Sequence, residues 1–205
     1  MNTEIGKLLE EMRGIQEQLE QFFDEARERF RYTVEDGRVR FSKEMQQLHL
    51  RYRISSLRYL LDADLLSVLT APFIYLMIVP LLFMDAGLTL YQHVCFRAYG
   101  VPRVRRSDYL VNDRHKLAYL NTIEKVNCTY CGYANGMVAY AREIVARTEQ
   151  YWCPIRHARR VSYAHSRYPK FFAYGDAASY LQGLDGKRGE LAGVVHKPGR
   201  GGADA

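Results

Sequence analysis

The sequence predicts a mainly α-helical fold with an N-terminal coiled-coil helix, a small β-hairpin, a kinked membrane-embedded helical segment and a C-terminal helical metal-binding module. Three observations predict it. Apolar residues repeat with helical spacing at the N-terminus, twenty consecutive residues of the first half carry no charge, and cysteine and histidine cluster in the second half. The corresponding domains are residues 1–30, 31–62, 63–99 and 100–182, followed by a disordered tail, 183–205.

The composition restricts the classes of partner. The chain has 205 residues and a net charge of +6, and much of the basic excess flanks the uncharged stretch, which favours anionic lipid headgroups. No nucleic-acid-binding signature accompanies this charge, so no nucleic-acid partner is expected. The first thirty residues lack the features of a signal peptide. We therefore expect a protein of the inner or cytoplasmic membrane whose soluble parts face the cytoplasm.

The N-terminal region is predicted to form one helix over residues 3–29. Its apolar residues follow a three-four spacing over about three heptads. They are Ile5, Leu8, Met12, Ile15, Leu19, Phe22 and Ala26. This spacing predicts a coiled coil through which the chain forms a homo-oligomer, and the alternative is an amphipathic helix that packs on its own domain.

The next region is predicted to be a hairpin followed by a helix. Apolar residues alternate over 30–34 and 39–41, and Asp36 and Gly37 supply turn chemistry between these stretches. Ser42 is a suitable N-cap for the helix that follows and leads towards the membrane.

The stretch from Leu65 to Met84 predicts membrane association. Its twenty uncharged residues could span a hydrocarbon core of about 30 Å at about 1.5 Å per residue. Pro72 and Pro80 interrupt it, and basic residues flank both sides. A re-entrant hairpin, with Asp85 near its turn or buried against a partner, is slightly favoured over a single crossing, because it places both basic flanks on one side. A buried core helix of a soluble protein is the third alternative.

Three helices are predicted in the C-terminal half, at residues 113–126, 137–152 and 177–182. Asp176 is a suitable N-cap for the last of them. Glu143 and Glu149 lie on the second helix and are expected to be solvated or to form salt bridges.

Three cysteines and one histidine are the candidate metal ligands. They are Cys128, Cys131, Cys153 and His157, in the pattern CxxC followed by CxxxH. Two thiolates three residues apart in a turn can bind one metal ion, and the second pair would complete a tetrahedral Cys3His shell of the kind that holds structural zinc. Iron is the alternative metal. Closure within one chain requires residues 132–136 to run back along the following helix; otherwise the metal would bridge subunits.

Two other functions remain open from the sequence. The CxxC pair could cycle between dithiol and disulfide, or an iron centre could exchange electrons, in a membrane-bound protein with a redox partner or a lipid-soluble quinone. Alternatively, the chain could be a scaffold that shapes membranes through its coiled coil and its apolar segment and performs no chemistry. Buried cysteines that act as small apolar residues would fit that alternative.

Overall fold

The computed structural model describes residues 2–35, 38–162 and 164–192. Within these ranges the α-helices are Asn2–Phe30 (α1), Lys43–Arg51 (α2), Ser56–Leu61 (α3), Leu65–Leu76 (α4), Ile78–Tyr91 (α5), Arg97–Tyr99 (α6), Thr122–Trp152 (α7) and Ala177–Ala192 (α8). The strands Tyr32–Glu35 (β1) and Arg38–Phe41 (β2) pair antiparallel. The prediction of a mainly helical chain with a small two-stranded sheet is confirmed.

The N-terminal region contains the predicted long helix and hairpin. In the hairpin Tyr32 lies opposite Phe41; the predicted turn residues lie outside the described ranges. The hydroxyl of Ser42 accepts a hydrogen bond from the Met45 amide at 3.2 Å, so Ser42 caps α2 as predicted. Three apolar side chains of the α1 seam, Ile15, Leu19 and Phe22, are exposed, and Ala26 is half-buried. Self-association through α1 therefore stays a prediction.

Helices α4 and α5 are separated by a single residue, Met77. The break has a local cause. A proline ring clashes with the carbonyl of the residue four positions earlier, and for Pro80 that residue is Leu76, where α4 ends. Pro80 itself lies in the first turn of α5, where a backbone N–H has no partner within the helix.

The stretch Leu65–Tyr99 is long and apolar enough to cross a membrane by length and composition. Helix α5 continues through Asp85 to Tyr91 without reversing, so the prediction of a turn near Asp85 is wrong. The other expectation for this residue, burial against a partner, fits its side chain, which is 13% exposed and bound to Arg106. No residue of α4 or α5 is buried within the chain, which argues against the alternative of a buried core helix.

A π-helical turn, Gln92–Phe96, follows α5 and directs its first and last side chains into the core. The buried amide of Gln92 donates to the hydroxyl of Tyr140 and accepts from the amide of Val104 at 2.9 Å. Both ends of this amide are therefore satisfied, as a buried polar group requires.

Helix α7 runs parallel to α5. Asp85 is hydrogen-bonded to Tyr133, and Gln92, seven residues later, is hydrogen-bonded to Tyr140, seven residues after Tyr133. Residue numbers therefore rise in the same direction along both helices. Parallel helices need a connection that returns along their length, and residues 97–121 provide it. This return segment passes Asp85 at Arg106.

The prediction of separate helices at residues 113–126 and 137–152 is wrong, because α7 runs without a break from Thr122 to Trp152. Residues 132–136, which would have to run back for the metal site to close within one chain, are helical.

Asn121 and Glu124 start α7 with a capping box: the Glu124 amide donates to the Asn121 side chain at 3.0 Å, and the Asn121 amide donates to the Glu124 carboxylate at 2.8 Å. Gly136 allows the return segment to pack closely against α7. A Cβ at this position would lie 2.6 Å from the carbonyl oxygen of Tyr109 on the return segment.

The core forms where α7 meets the π-helical turn, the return segment and α8. Its buried apolar side chains are Phe96, Val101, Val104, Met137, Tyr140, Ile144 and Leu191. The Asp176 carboxylate accepts from the Ser179 amide at 3.0 Å, which confirms the predicted cap. Because α8 continues to Ala192, the prediction of a disordered tail is wrong for residues 183–192, and the remaining residues lie outside the described ranges.

Candidate functional site

The thiol pair Cys128 and Cys131 lies within α7 rather than in a turn. Residues three apart on a helix share one face. Cys131 is exposed and Cys128 is half-buried. The two thiols can therefore act together, with Cys131 open to a reagent or a partner.

Cys153 and His157 lie at the opposite end of α7. Cys153 is the exposed C-cap of the helix. The His157 ring stacks on Tyr168, with ring centroids 6.1 Å apart, and its amide donates to the Tyr168 hydroxyl at 2.6 Å. The aromatic contact fixes the imidazole beside the end of the helix.

The structure does not bring the two predicted ligand pairs together within one chain. Twenty-five residue steps separate Cys128 from Cys153 along the axis of α7, a distance of about 37 Å at about 1.5 Å per residue. A zinc–thiolate bond is only about 2.3 Å long. Among the described residues, no three His, Cys, Asp or Glu side chains form a group that could hold a metal ion.

An open groove of about 930 Å³ lies between the α4–α5 helices and the first half of α7. Its apolar walls come from Tyr75, Ile78, Leu82, Val126, Tyr130 and Tyr133. The Tyr130 hydroxyl donates to the carbonyl of Ile74 at 2.7 Å, and the Tyr75 hydroxyl donates to the Asn127 side chain. These two bonds join α4 to α7, which form opposite walls of the groove.

Some side chains that line the groove are polar. They are Asn112 and His115 of the return segment, Lys125 of α7 and two threonines, Thr122 and Thr129. The groove therefore combines apolar walls with a few polar and basic side chains, an arrangement suited to a small molecule that has one apolar and one polar part.

Asp85 joins α5, α7 and the return segment. Arg106 binds its carboxylate through two hydrogen bonds, of 2.6 and 3.2 Å, and the Tyr133 hydroxyl donates to it at 2.9 Å. The Asp85 side chain is 13% exposed. The hydrogen bond to Asp85 raises the pKa of Arg106, and burial followed by the same carboxylate raises the pKa of Tyr133. These bonds link α5 to α7 and to the return segment.

A second charged cluster lies on the later half of α7. One oxygen of Glu143 accepts from Arg147 at 2.8 Å and from Arg167 at 2.8 and 3.2 Å. Burial raises the pKa of Glu143, but the hydrogen bonds from the two arginines outweigh burial and lower it below its usual value. Arg167 also binds the buried side chain of Gln150 at 3.0 Å. The cluster fastens the loop that contains Arg167 to α7.

The salt bridges of Glu143 agree with one of the two roles expected from the sequence, whereas the groove was not anticipated. A signal for the groove does exist, since residues 126–141 of α7 carry no charge, which is unusual on a helix expected to face water. Comparisons of the chain with models of protein families, with curated proteins and with solved structures return no match.

Proposed function

We propose that this chain is a membrane-anchored protein in which α4 and the outer face of α5 insert into a lipid bilayer from one side. The observation that carries the proposal is the exposure of large apolar side chains along both helices. They are Leu65, Leu66, Leu69, Phe73, Ile74, Leu76, Met77, Leu82, Phe83 and Leu90. A soluble monomer rarely exposes so large a continuous apolar surface.

Charge at both ends of this surface supports the proposal. Arg53 and Arg58 precede α4, and Arg97 and Arg103 follow α5; all four are exposed. Arginines next to an apolar helix attract the anionic headgroups of lipids. They would hold the two ends of the inserted stretch at the membrane surface.

The return segment favours insertion from one side over a crossing. It places Arg106 beside Asp85, and its short turn Arg114–Lys116 contacts α7. His115 of this turn lines the groove together with Tyr75 and Ile78, which lie about 15–20 Å from Leu65 at about 1.5 Å per residue. A perpendicular crossing that starts at Leu65 would therefore hold the basic side chains of the turn near the middle of a hydrocarbon core of about 30 Å, where a charged side chain costs several kcal/mol. A shallow insertion leaves them at the level of the headgroups.

Accessibility labelling tests this arrangement. Two variants of the full chain each carry one new cysteine, at the exposed Gln47 or at the exposed Ser107. In both variants the four native cysteines are changed to serine. In sealed membrane vesicles, we expect a membrane-impermeant maleimide to label both positions from the same side. The serine background without either new cysteine is the control for non-specific labelling. Labelling from opposite sides would contradict the proposal and show a single crossing.

A second candidate function is metal binding shared between chains. It is favoured by the position of Cys128 and Cys131 on one face of α7, with the second thiol exposed. Two such pairs from two chains would supply the four thiolates of a tetrahedral zinc or iron site. Cys153 and His157 could serve as bridging ligands in the same way, and the predicted pairing of α1 would bring the chains together.

Metal analysis of the purified full chain tests the second candidate. We expect about one zinc or iron ion for every two chains and its loss in Cys131→Ser, whereas Cys95→Ser keeps the metal. About one ion per chain, lost in His157→Ala as well, would show instead that the four predicted ligands act across chains. A metal-free protein with a reversible bond between Cys128 and Cys131 would contradict metal binding and favour thiol redox chemistry.

A further inference from the structure

The groove between α4–α5 and α7 has the shape and the chemistry of a lipid site. Its volume of about 930 Å³ lies near the upper end of the range of about 300–1,000 Å³ found for small-molecule pockets. Ile78 and Leu82 form one wall, and Tyr130 and Tyr133 form the other. These side chains offer a long apolar surface with little capacity to recognise a polar molecule.

The basic side chains that line the groove indicate the sign of the charge that a ligand would carry. These side chains are Lys125 and His115, and the turn that contains His115 also carries Arg114 and Lys116. Within the part of the chain that the structure describes, Lys125 forms no salt bridge. Its charge is therefore available to an acidic group, while its aliphatic stem can lie along the apolar wall.

The groove is continuous with the apolar surface that we propose to insert into the membrane. Leu82 lines the groove and is also part of the exposed face of α5. A lipid in the bilayer could therefore enter the groove sideways and keep its chain in apolar surroundings throughout, which avoids the cost of exposing that chain to water. This argument rests on the proposed membrane insertion.

We propose that the groove binds an anionic lipid, with an apolar chain between α4–α5 and α7 and an acidic headgroup at Lys125 and His115. The acidic headgroup accepts hydrogen bonds from the Lys125 ammonium and from other polar side chains of the groove lining. The chain lies against the tyrosine and aliphatic walls. Charge and polarity thus fix the orientation of the lipid, and the apolar walls provide most of its affinity.

Binding of oleate and oleyl alcohol to the full chain in a non-ionic detergent tests the proposal. The two probes share one tail and differ in the charge of the headgroup. We expect oleate to bind more tightly, and Lys125→Gln to weaken oleate binding by about tenfold, the effect of losing one hydrogen bond to a charged group. The affinity for oleyl alcohol should not change. Lys170→Gln, at an exposed lysine outside the groove, is the matched control.

A second pair of variants tests the apolar part. Leu82→Trp and Ile78→Trp each place a larger side chain in the groove and should weaken the binding of both probes. Leu82 is exposed enough to accept the change without unfolding the chain. Equal affinity for oleate and oleyl alcohol, or binding that neither tryptophan changes, would overturn the proposal. Flotation of the wild-type chain with vesicles reports membrane insertion separately, so failure of the groove and failure of the anchor are distinguishable.

Discussion

Replacing Glu143 with alanine is expected to lower the free energy of unfolding by about 3–5 kcal/mol, the usual cost of leaving a buried charge without its partner. Both Arg147 and Arg167 donate to the same Glu143 oxygen, and the Arg147 side chain is only 7% exposed. The variant would leave two guanidinium groups in the protein interior with no carboxylate. For a chain of this size the midpoint of thermal unfolding should fall by about 6–20 °C.

A matched control separates this effect from the general effect of a Glu→Ala change on a helix. Glu190 on α8 pairs with Lys187 at 2.7 Å, but its side chain is 40% exposed. Loss of an exposed pair costs at most about 1 kcal/mol. Thermal unfolding of both variants in the same detergent tests the prediction, and similar melting points for Glu143→Ala and Glu190→Ala would contradict it.

The same cluster predicts how stability depends on pH. The two arginines hold the pKa of Glu143 below the value of 4.5 expected in the unfolded chain. The folded protein therefore favours the ionised carboxylate, and the unfolded chain binds more protons as the pH falls through this range. The contribution of Glu143 is complete above pH 4.5 and is lost as the pH falls through its folded pKa. In an acid titration, wild type should lose stability more steeply than Glu143→Gln in this range.

The second large effect is expected at Gly136. In a helix interior an alanine normally stabilises relative to glycine by about 0.5–1 kcal/mol. Here the new Cβ would lie 2.6 Å from the Tyr109 carbonyl oxygen and 3.1 Å from the Leu110 Cα. Both atoms are backbone and cannot rotate away. We therefore expect Gly136→Ala to destabilise the protein by about 1–3 kcal/mol, the range for overpacking.

Gly132 provides the control for this prediction, because it lies one turn earlier on the same helix. A Cβ there would meet the Val111 carbonyl oxygen at 3.5 Å, an ordinary van der Waals contact. Gly132→Ala should therefore be neutral or stabilising by up to about 1 kcal/mol. Equal shifts of the unfolding midpoint in the two alanine variants would contradict the prediction that Gly136 is needed for the close approach of Tyr109.

Elements with local determinants could be predicted from the sequence. The hairpin follows from alternation, and the starts of α2 and α8 follow from the capping side chains of Ser42 and Asp176. The continuity of α7 could not be predicted in this way. Its glycines resemble a turn in sequence, but at Gly136 the small size is needed because Tyr109 and Leu110 pass close to the helix.

The candidate site was predicted less completely than the fold. Periodicity and spacing identified the cysteines, but the distance between their two pairs depends on whether the intervening residues are helical. The groove joins residues more than 40 positions apart, and Arg167 reaches Glu143 from a loop. No local pattern encodes such contacts, because they depend on the direction in which α7 runs beside α5.

The parallel arrangement of α5 and α7 also has a consequence during synthesis. The contacts between them join residues 48 to 57 positions apart, including the bond from Asp85 to Tyr133. At about 5–20 residues per second the ribosome takes roughly 3–10 s to make the chain between such partners. Throughout that delay the apolar helices exist without α7. Early contact with a bilayer or a chaperone would protect this nascent stretch from aggregation.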